Sequence, residues 1–162
     1  MASNWLSIPR DERYFEDYVV GSSREYGTIQ LSAEDIIDYA KRFDPQPMHT
    51  DPVTAKDTPF GELIASGWHT ASVMMRLFVD NYLSSVASLA SPGIDELRWQ
   101  KPVRPGDSLS ARITVIEARR SASKPDRGIV RSFIEVKNQH DEVVMKMKAM
   151  NLFMCRGAAA KT

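Results

Sequence analysis

Ala33, Ile36, Ile37, Ala40 and Phe43 recur at three- and four-residue spacing, which predicts a helix with one apolar stripe over about residues 32 to 43. Ser32 can cap it, and Glu34 and Asp35 fall in the first turn, where the helix dipole favours negative charge. Pro45 and Pro47 end it, because each lacks a backbone donor and pushes the residue before it toward extended backbone. Four of the nine prolines lie between Asp44 and Phe60, so this stretch reads as a stiff, ordered, non-helical loop with one helical turn near Val53 to Lys56. Beyond Gly67 the pattern changes. Trp68, Val73, Met74, Met75, Leu77, Phe78, Val79, Tyr82, Leu83, Val86 and Leu89 surround a helix rather than line one side, which predicts that the rest of the protein encloses it. Arg76, Asp80 and Asn81 argue against a membrane span.

The last third alternates with period two. Leu109, Ala111, Ile113 and Val115 interleave with Ser110, Arg112 and Thr114, and Val143, Met145, Met147 and Ala149 interleave with Val144, Lys146 and Lys148. Ile129 to Val136 and Gly93 to Lys101 give two more strands, and a fifth falls between Val19 and Leu31. Turn chemistry separates them at Pro105-Gly106-Asp107, at Pro125 to Gly128 and at Asn138 to Asp141. Helices first and consecutive strands afterwards predict an α+β fold, with one face of an antiparallel sheet covering the long helix. The expected organisation is one domain over residues 1–156, followed by a small-residue tail, Gly157 to Thr162, that frays.

Composition narrows the function classes. The 21 basic and 21 acidic residues cancel, which leaves no electrostatic footprint for a nucleic acid. A single cysteine, Cys155, precludes an internal disulfide or a two-cysteine metal site and fits a cytoplasmic setting. Acidic residues interrupt the first twenty positions and no long clean apolar run follows, so a soluble, unprocessed protein is expected, with no membrane association.

Candidate chemistry concentrates in two segments. Asp44-Pro45-Gln46-Pro47-Met48-His49 sets an acid and an imidazole five residues apart on a proline-stiffened loop. An imidazole can accept a proton from water at neutral pH, and a carboxylate can orient that water. The same spacing also describes a structural loop with a capping carboxylate and a surface histidine. Further on, Gly67 opens the second helix, where free N–H groups stabilise negative charge and the missing Cβ lets a ligand approach, although tight packing would equally call for glycine.

Taken together, Asp44, Pro47, His49 and Asp51, then Phe60, Gly61, Ile64, Ala65 and Gly67, then Lys101 to Asp107, resemble the MaoC-like dehydratase family, which includes the (R)-specific enoyl-CoA hydratases. The resemblance implies a hotdog fold, with a long central helix wrapped by the sheet, and a homodimer whose two sheets join. It also implies an acyl-CoA or acyl-carrier thioester as substrate. It assigns Asp44 and His49 to water activation and the Gly67 N–H to the thioester oxygen, with Gln46, Phe60, Ile64 and Ser66 at the substrate and no metal or cofactor beyond the substrate's own coenzyme A. The family's usual glycine and asparagine are replaced here by Phe43 and Gln46, and Met75 stands where some hydratases carry a serine. The reading is therefore a hydro-lyase; its rivals are a thioesterase on the same fold and a catalytically silent acyl-binding subunit, favoured if Phe43 and Gln46 distort the pocket.

Other conspicuous residues are read structurally. His69 either packs or bonds at the helix end, or lines the tunnel; Met74, Met75, Met145, Met147 and Met150 are expected to fill the core, although flexible methionines also suit an acyl chain, and His140 to be solvated in a hairpin turn. Cys155 is expected to be an inert small hydrophobe. Arg98, Lys101, Arg104, Arg119, Arg120, Lys124 and Arg127 are candidates for the coenzyme A phosphates.

Overall fold

A computed structural model describes residues 7–158. Of the expected tail, Gly157 and Ala158 continue a turn, with the Ala158 N–H donating to the Cys155 carbonyl at 3.1 Å, and 159–162 lie outside the described residues. In chain order the elements are a 3-10 turn (Phe15–Asp17), β1 (Ser23–Gln30), α1 (Ala33–Phe43), α2 (Pro47–Thr50), α3 (Pro52–Ala55), α4 (Gly67–Asn81), β2 (Gly93–Trp99), β3 (Ser108–Arg120), β4 (Arg127–Lys137) and β5 (Val143–Met154). The strands form one antiparallel sheet in the order β1-β3-β4-β5-β2, which makes β1 and β2 its edges. Leu109, Ala111, Ile113 and Val115 of β3, Val130, Ser132, Ile134 and Val136 of β4, and Met145, Met147, Ala149 and Phe153 of β5 are buried, as their alternation predicts. The core gathers them against Val73, Met74, Leu77 and Phe78 of α4. This is the helix-wrapped sheet that the resemblance implies.

The helices depart from expectation in instructive ways. The long apolar run extends to Leu89, yet α4 ends at Asn81. Its last carbonyls are claimed from outside the helix: Arg13 Nη1 donates to the Tyr82 carbonyl at 2.8 Å and to that of Asn81 at 3.2 Å, and the Tyr18 hydroxyl donates to Tyr82 at 3.0 Å. The Ser84 hydroxyl then accepts from the Ala87 N–H at 2.8 Å and turns the chain away, while Leu83 and Ala87 stay buried. Nor is α4 enclosed all round, since Trp68, Met75 and Val79 leave one flank exposed. Met74, Met145 and Met147 are core residues, whereas Met75 is not. Phe43, expected on the buried stripe of α1, is the last helical residue and is 62% exposed, its ring tilted against Tyr39 on the same helix; Ile36 and Ala40 are buried.

The helical turn expected near Val53 to Lys56 is α3, and a second, unexpected turn, α2, precedes it; each begins on proline at a position where the missing N–H costs nothing. Asp51 caps α3, accepting from the Val53 N–H at 2.9 Å. Among the described residues no helix is long and apolar enough to cross a membrane.

Candidate active site

Asp44 is the C-cap of α1, its N–H bonded to the Ala40 carbonyl at 2.8 Å, so the helix ends by delivering a carboxylate. His49 follows on α2 and is buried. Its Nδ1 bonds to the Ile64 carbonyl oxygen at 2.8 Å. A carbonyl oxygen only accepts, so Nδ1 carries the hydrogen and Nε2 presents a lone pair. That Nε2 lies 3.5 Å from Asp44 Oδ2, and both residues line one cavity of about 450 Å³. The two side chains converge, and a single water oxygen can reach both.

Two neighbours hold the carboxylate. Gln46 Nε2 donates to Asp44 Oδ1 at 2.7 Å, and the Ser66 hydroxyl donates to Oδ2 at 2.7 Å. These hydrogen bonds, first that of Gln46 and then that of Ser66, hold the Asp44 carboxyl below the usual carboxylate range, with His49 adding to the effect. Gln46 therefore supports the acid rather than distorting it, and Phe43 does not line the cavity. Ser66, expected at the substrate, is fully buried and is not among the lining residues; it caps α4 through the Trp68 N–H and anchors Asp44.

Gly67 lines the cavity at the start of α4. The Trp68 N–H goes to the Ser66 hydroxyl, and those of His69 and Thr70 go to the Ser66 carbonyl. Among the described residues the Gly67 N–H has no acceptor. The glycine also has a packing role: a Cβ there would lie 2.5 Å from Cε2 of Trp99, whose indole N–H donates to the Gly67 carbonyl at 2.8 Å. Phe60 and Ile64 line the cavity as expected. Met48, Pro102 and Val103, which fall within the motif blocks, also line it, as do Trp99 and Thr70, which no local motif marked. For Trp99 the clue was the glycine itself, since a helix start without a Cβ leaves room for a side chain close above it.

The cationic candidates divide. Lys101 lines the cavity and pairs with Glu142, Arg104 pairs with Glu62 at 2.5 Å, and Arg98 pairs with Glu96 at 3.4 Å on the outer side of β2. Arg119, Arg120, Lys124 and Arg127 belong to the β3–β4 hairpin, and none lines the cavity. His69 is buried away from the cavity with its ring stacked on Tyr39 at 4.4 Å. His140 is exposed in its turn. Cys155 is buried, and desolvation pushes its thiol pKa up, away from reactivity. Among the described residues no three His, Cys, Asp or Glu side chains gather into a metal-holding group.

A helix-wrapped antiparallel sheet with a carboxylate–imidazole pair facing a helix start defines a recognisable class, and comparison bears this out. The model of the MaoC like domain matches residues 18–137, and the chain belongs to the MaoC-like dehydratase family. The solved MaoC-like dehydratase of Rhodospirillum rubrum is 38% identical, with a TM-score of 0.83 over 89% of this chain and 98% of its own. The R-hydratase PhaJ1 of Pseudomonas aeruginosa is 26% identical, with a TM-score of 0.70 over 88% and 85% of the two chains. The 3-hydroxybutyryl-CoA dehydratase of Methylorubrum extorquens is 32% identical over 111 residues, 64% of each chain.

Proposed function

We propose that this protein is a hydro-lyase that adds water across, or removes it from, the Cα–Cβ bond of an acyl thioester. The observation that carries the reading is the convergence of Asp44 Oδ2 and His49 Nε2, 3.5 Å apart, on a cavity that Gly67 also lines at the start of α4. In the hydration direction a water donates to both groups. His49 Nε2 takes a proton as the hydroxyl adds to Cβ, and the Cα=Cβ electron pair moves toward the carbonyl. The charge that builds on the thioester oxygen faces the Gly67 N–H, a kind of donor worth about 10²–10³-fold in rate. The proton held by His49 then passes to Cα, and the thioester carbonyl reforms. Asp44, kept ionised by Gln46 and Ser66, orients the water and stabilises the transient imidazolium.

Side chains, one backbone amide and water suffice for this scheme, with coenzyme A or an acyl carrier entering only as part of the substrate. The same reading takes the protein as a cytoplasmic homodimer joined through its sheets. It is supported by the open edge of β2 and by Ile94, Met75 and Val79, apolar residues left exposed on the single chain. The test is turnover of short and medium 2-enoyl-CoA thioesters. Loss of enoyl absorbance without thiol release is expected, whereas thiol release from a saturated acyl-CoA would identify a thioesterase. Asp44→Asn is expected to lower kcat at least about a hundredfold with little change in substrate binding. Turnover equal to the parent's would remove Asp44 from the mechanism.

A further inference from the structure

Trp99 ends β2, where it pairs with the buried Met145 of β5, and the next amide, that of Gln100, donates to the Val144 carbonyl at 2.8 Å. Its backbone is thus clamped to the sheet, while its indole lies against the first residue of α4. Three hydrogen bonds run on from that indole. The Trp99 indole N–H donates to the Gly67 carbonyl at 2.8 Å. That carbonyl shares a planar peptide with the Trp68 N–H, which donates to the Ser66 hydroxyl at 3.3 Å. The Ser66 hydroxyl in turn donates to Asp44 Oδ2 at 2.7 Å, and this is the oxygen that faces His49 Nε2. Every link points the same way, from β2 to the carboxylate, so each bond polarises the next and the negative charge strengthens the last.

A clamp is needed at one point in particular. Gly67 joins two peptide planes, and its missing Cβ leaves the torsions between them freer than in any other residue. The Ser66 carbonyl holds the first plane, accepting from the N–H groups of His69 and Thr70 at 3.0 and 3.1 Å, and the Gly67 N–H at the far side of that plane points back out of the helix start. Trp99 holds the second plane. Its ring also fills the space where a Cβ would stand, so the glycine admits the indole and the indole stiffens the glycine.

We propose that Trp99 is a positioning residue for the reaction: through the Gly67–Trp68 peptide and the Ser66 hydroxyl it fixes the Asp44 carboxylate and the Gly67 N–H relative to each other. The inference deepens the hydro-lyase reading above and rests on it for its kinetic consequence. In that scheme acid and backbone donor flank one substrate, and a displacement of about 1 Å costs on the order of a hundredfold in rate. The two groups come from different elements, the end of α1 and the start of α4, and the bonds that begin at Trp99 tie both to the sheet.

Two measurements test this. The first reads the bonds without turnover. The indole proton of Trp99 is assigned in a nitrogen–proton NMR spectrum by its loss in Trp99→Phe, then followed in Asp44→Asn and Ser66→Ala, both of which keep the tryptophan. It is expected to move upfield in each, because the far end of the chain of bonds no longer polarises it. A resonance that stays in place in either variant overturns the proposal. The second measurement is turnover of 2-enoyl-CoA thioesters. Trp99→Phe keeps a ring over Gly67 but lacks the donor, and is expected to lower kcat about tenfold with KM within about twofold of the parent's. Ser66→Ala already cuts the chain of bonds, so adding Trp99→Phe to it is expected to lower kcat by no more than about twofold further. Independent, multiplying losses in the double variant overturn the proposal, and so does a raised KM with unchanged kcat, which marks the indole as no more than a wall of the cavity. Thermal melts verify that each variant is folded; should Trp99→Phe fail to fold, the indole shifts in the variants that retain Trp99 decide. Upfield shifts without turnover of any enoyl thioester would sink the hydro-lyase reading and leave the chain of bonds standing; turnover with an unmoved indole would do the reverse.

Discussion

Asp44 shows how one acid is prepared by its surroundings. Gln46 and Ser66 bond more strongly to the ionised form than to the protonated one, so they lower its pKa, and the carboxylate persists as pH falls into the mildly acidic range. Removing a donor must raise that pKa. Gln46→Leu is therefore expected to raise the Asp44 pKa read by NMR titration of its carboxyl carbon and to lower kcat/KM by about tenfold, and an unmoved Asp44 titration would separate Gln46 from Asp44. At this scale the sequence was legible where the chemistry is contiguous. Asp44, Gln46 and His49 lie within six residues, and this block, taken with the two further along the chain, carried the resemblance that assigned them. Trp99 and Thr70 were not legible, because they reach the cavity from β2 and from inside α4 through packing that no local pattern encodes. Ser66 was legible as part of the site and misread in role: its hydroxyl faces the acid rather than the cavity.

Between residues and fold stands α1, whose two ends do different jobs. Its start is closed by a reciprocal cap: the Ser32 hydroxyl accepts from the Asp35 N–H at 3.0 Å, and the Ser32 N–H donates to Asp35 Oδ2 at 2.9 Å. Its end is Asp44 itself. Ser32→Ala is expected to cost about 1 kcal/mol in urea unfolding. The variant's kcat should stay within about twofold of the parent's, because the bonds that hold the Asp44 carboxylate are made at the other end of the helix. Capping serine, acidic first turn and terminating prolines all announced this element. The end of α4 was not announced, since the groups that claim its carbonyls, Arg13 and Tyr18, come from a segment more than sixty residues earlier. An apolar run says that residues are buried, not that they remain helical; Leu83 and Ala87 are buried in a turn.

For the molecule as a whole, titration sets how stability depends on pH. Burial lowers the pKa of His69, with Asp35 partly opposing, so the neutral ring is preferred in the folded state. The unfolded chain then takes up the proton first as pH falls through about 6.5, and stability declines from there. Glu25, Asp35, Asp44 and Asp51 are also shifted down, through hydrogen bonds to their ionised forms. Their contribution is complete above the ordinary carboxylate range near pH 4 and is lost below it. Urea midpoints are expected to fall in two stages, one below about pH 6.5 and one below about pH 4. His69→Phe, which keeps a ring against Tyr39, should abolish the upper stage alone.

The indole of Trp99 covers Gly67, and that of Trp68 meets it edge-on at 5.3 Å; both border the cavity. Of the chain's three tryptophans only Trp5 lies elsewhere in the sequence, outside the described residues. The protein thus carries a built-in optical reporter: an incoming molecule changes the polarity around both fluorophores at once, and its arrival can be followed in the native emission without attaching a dye.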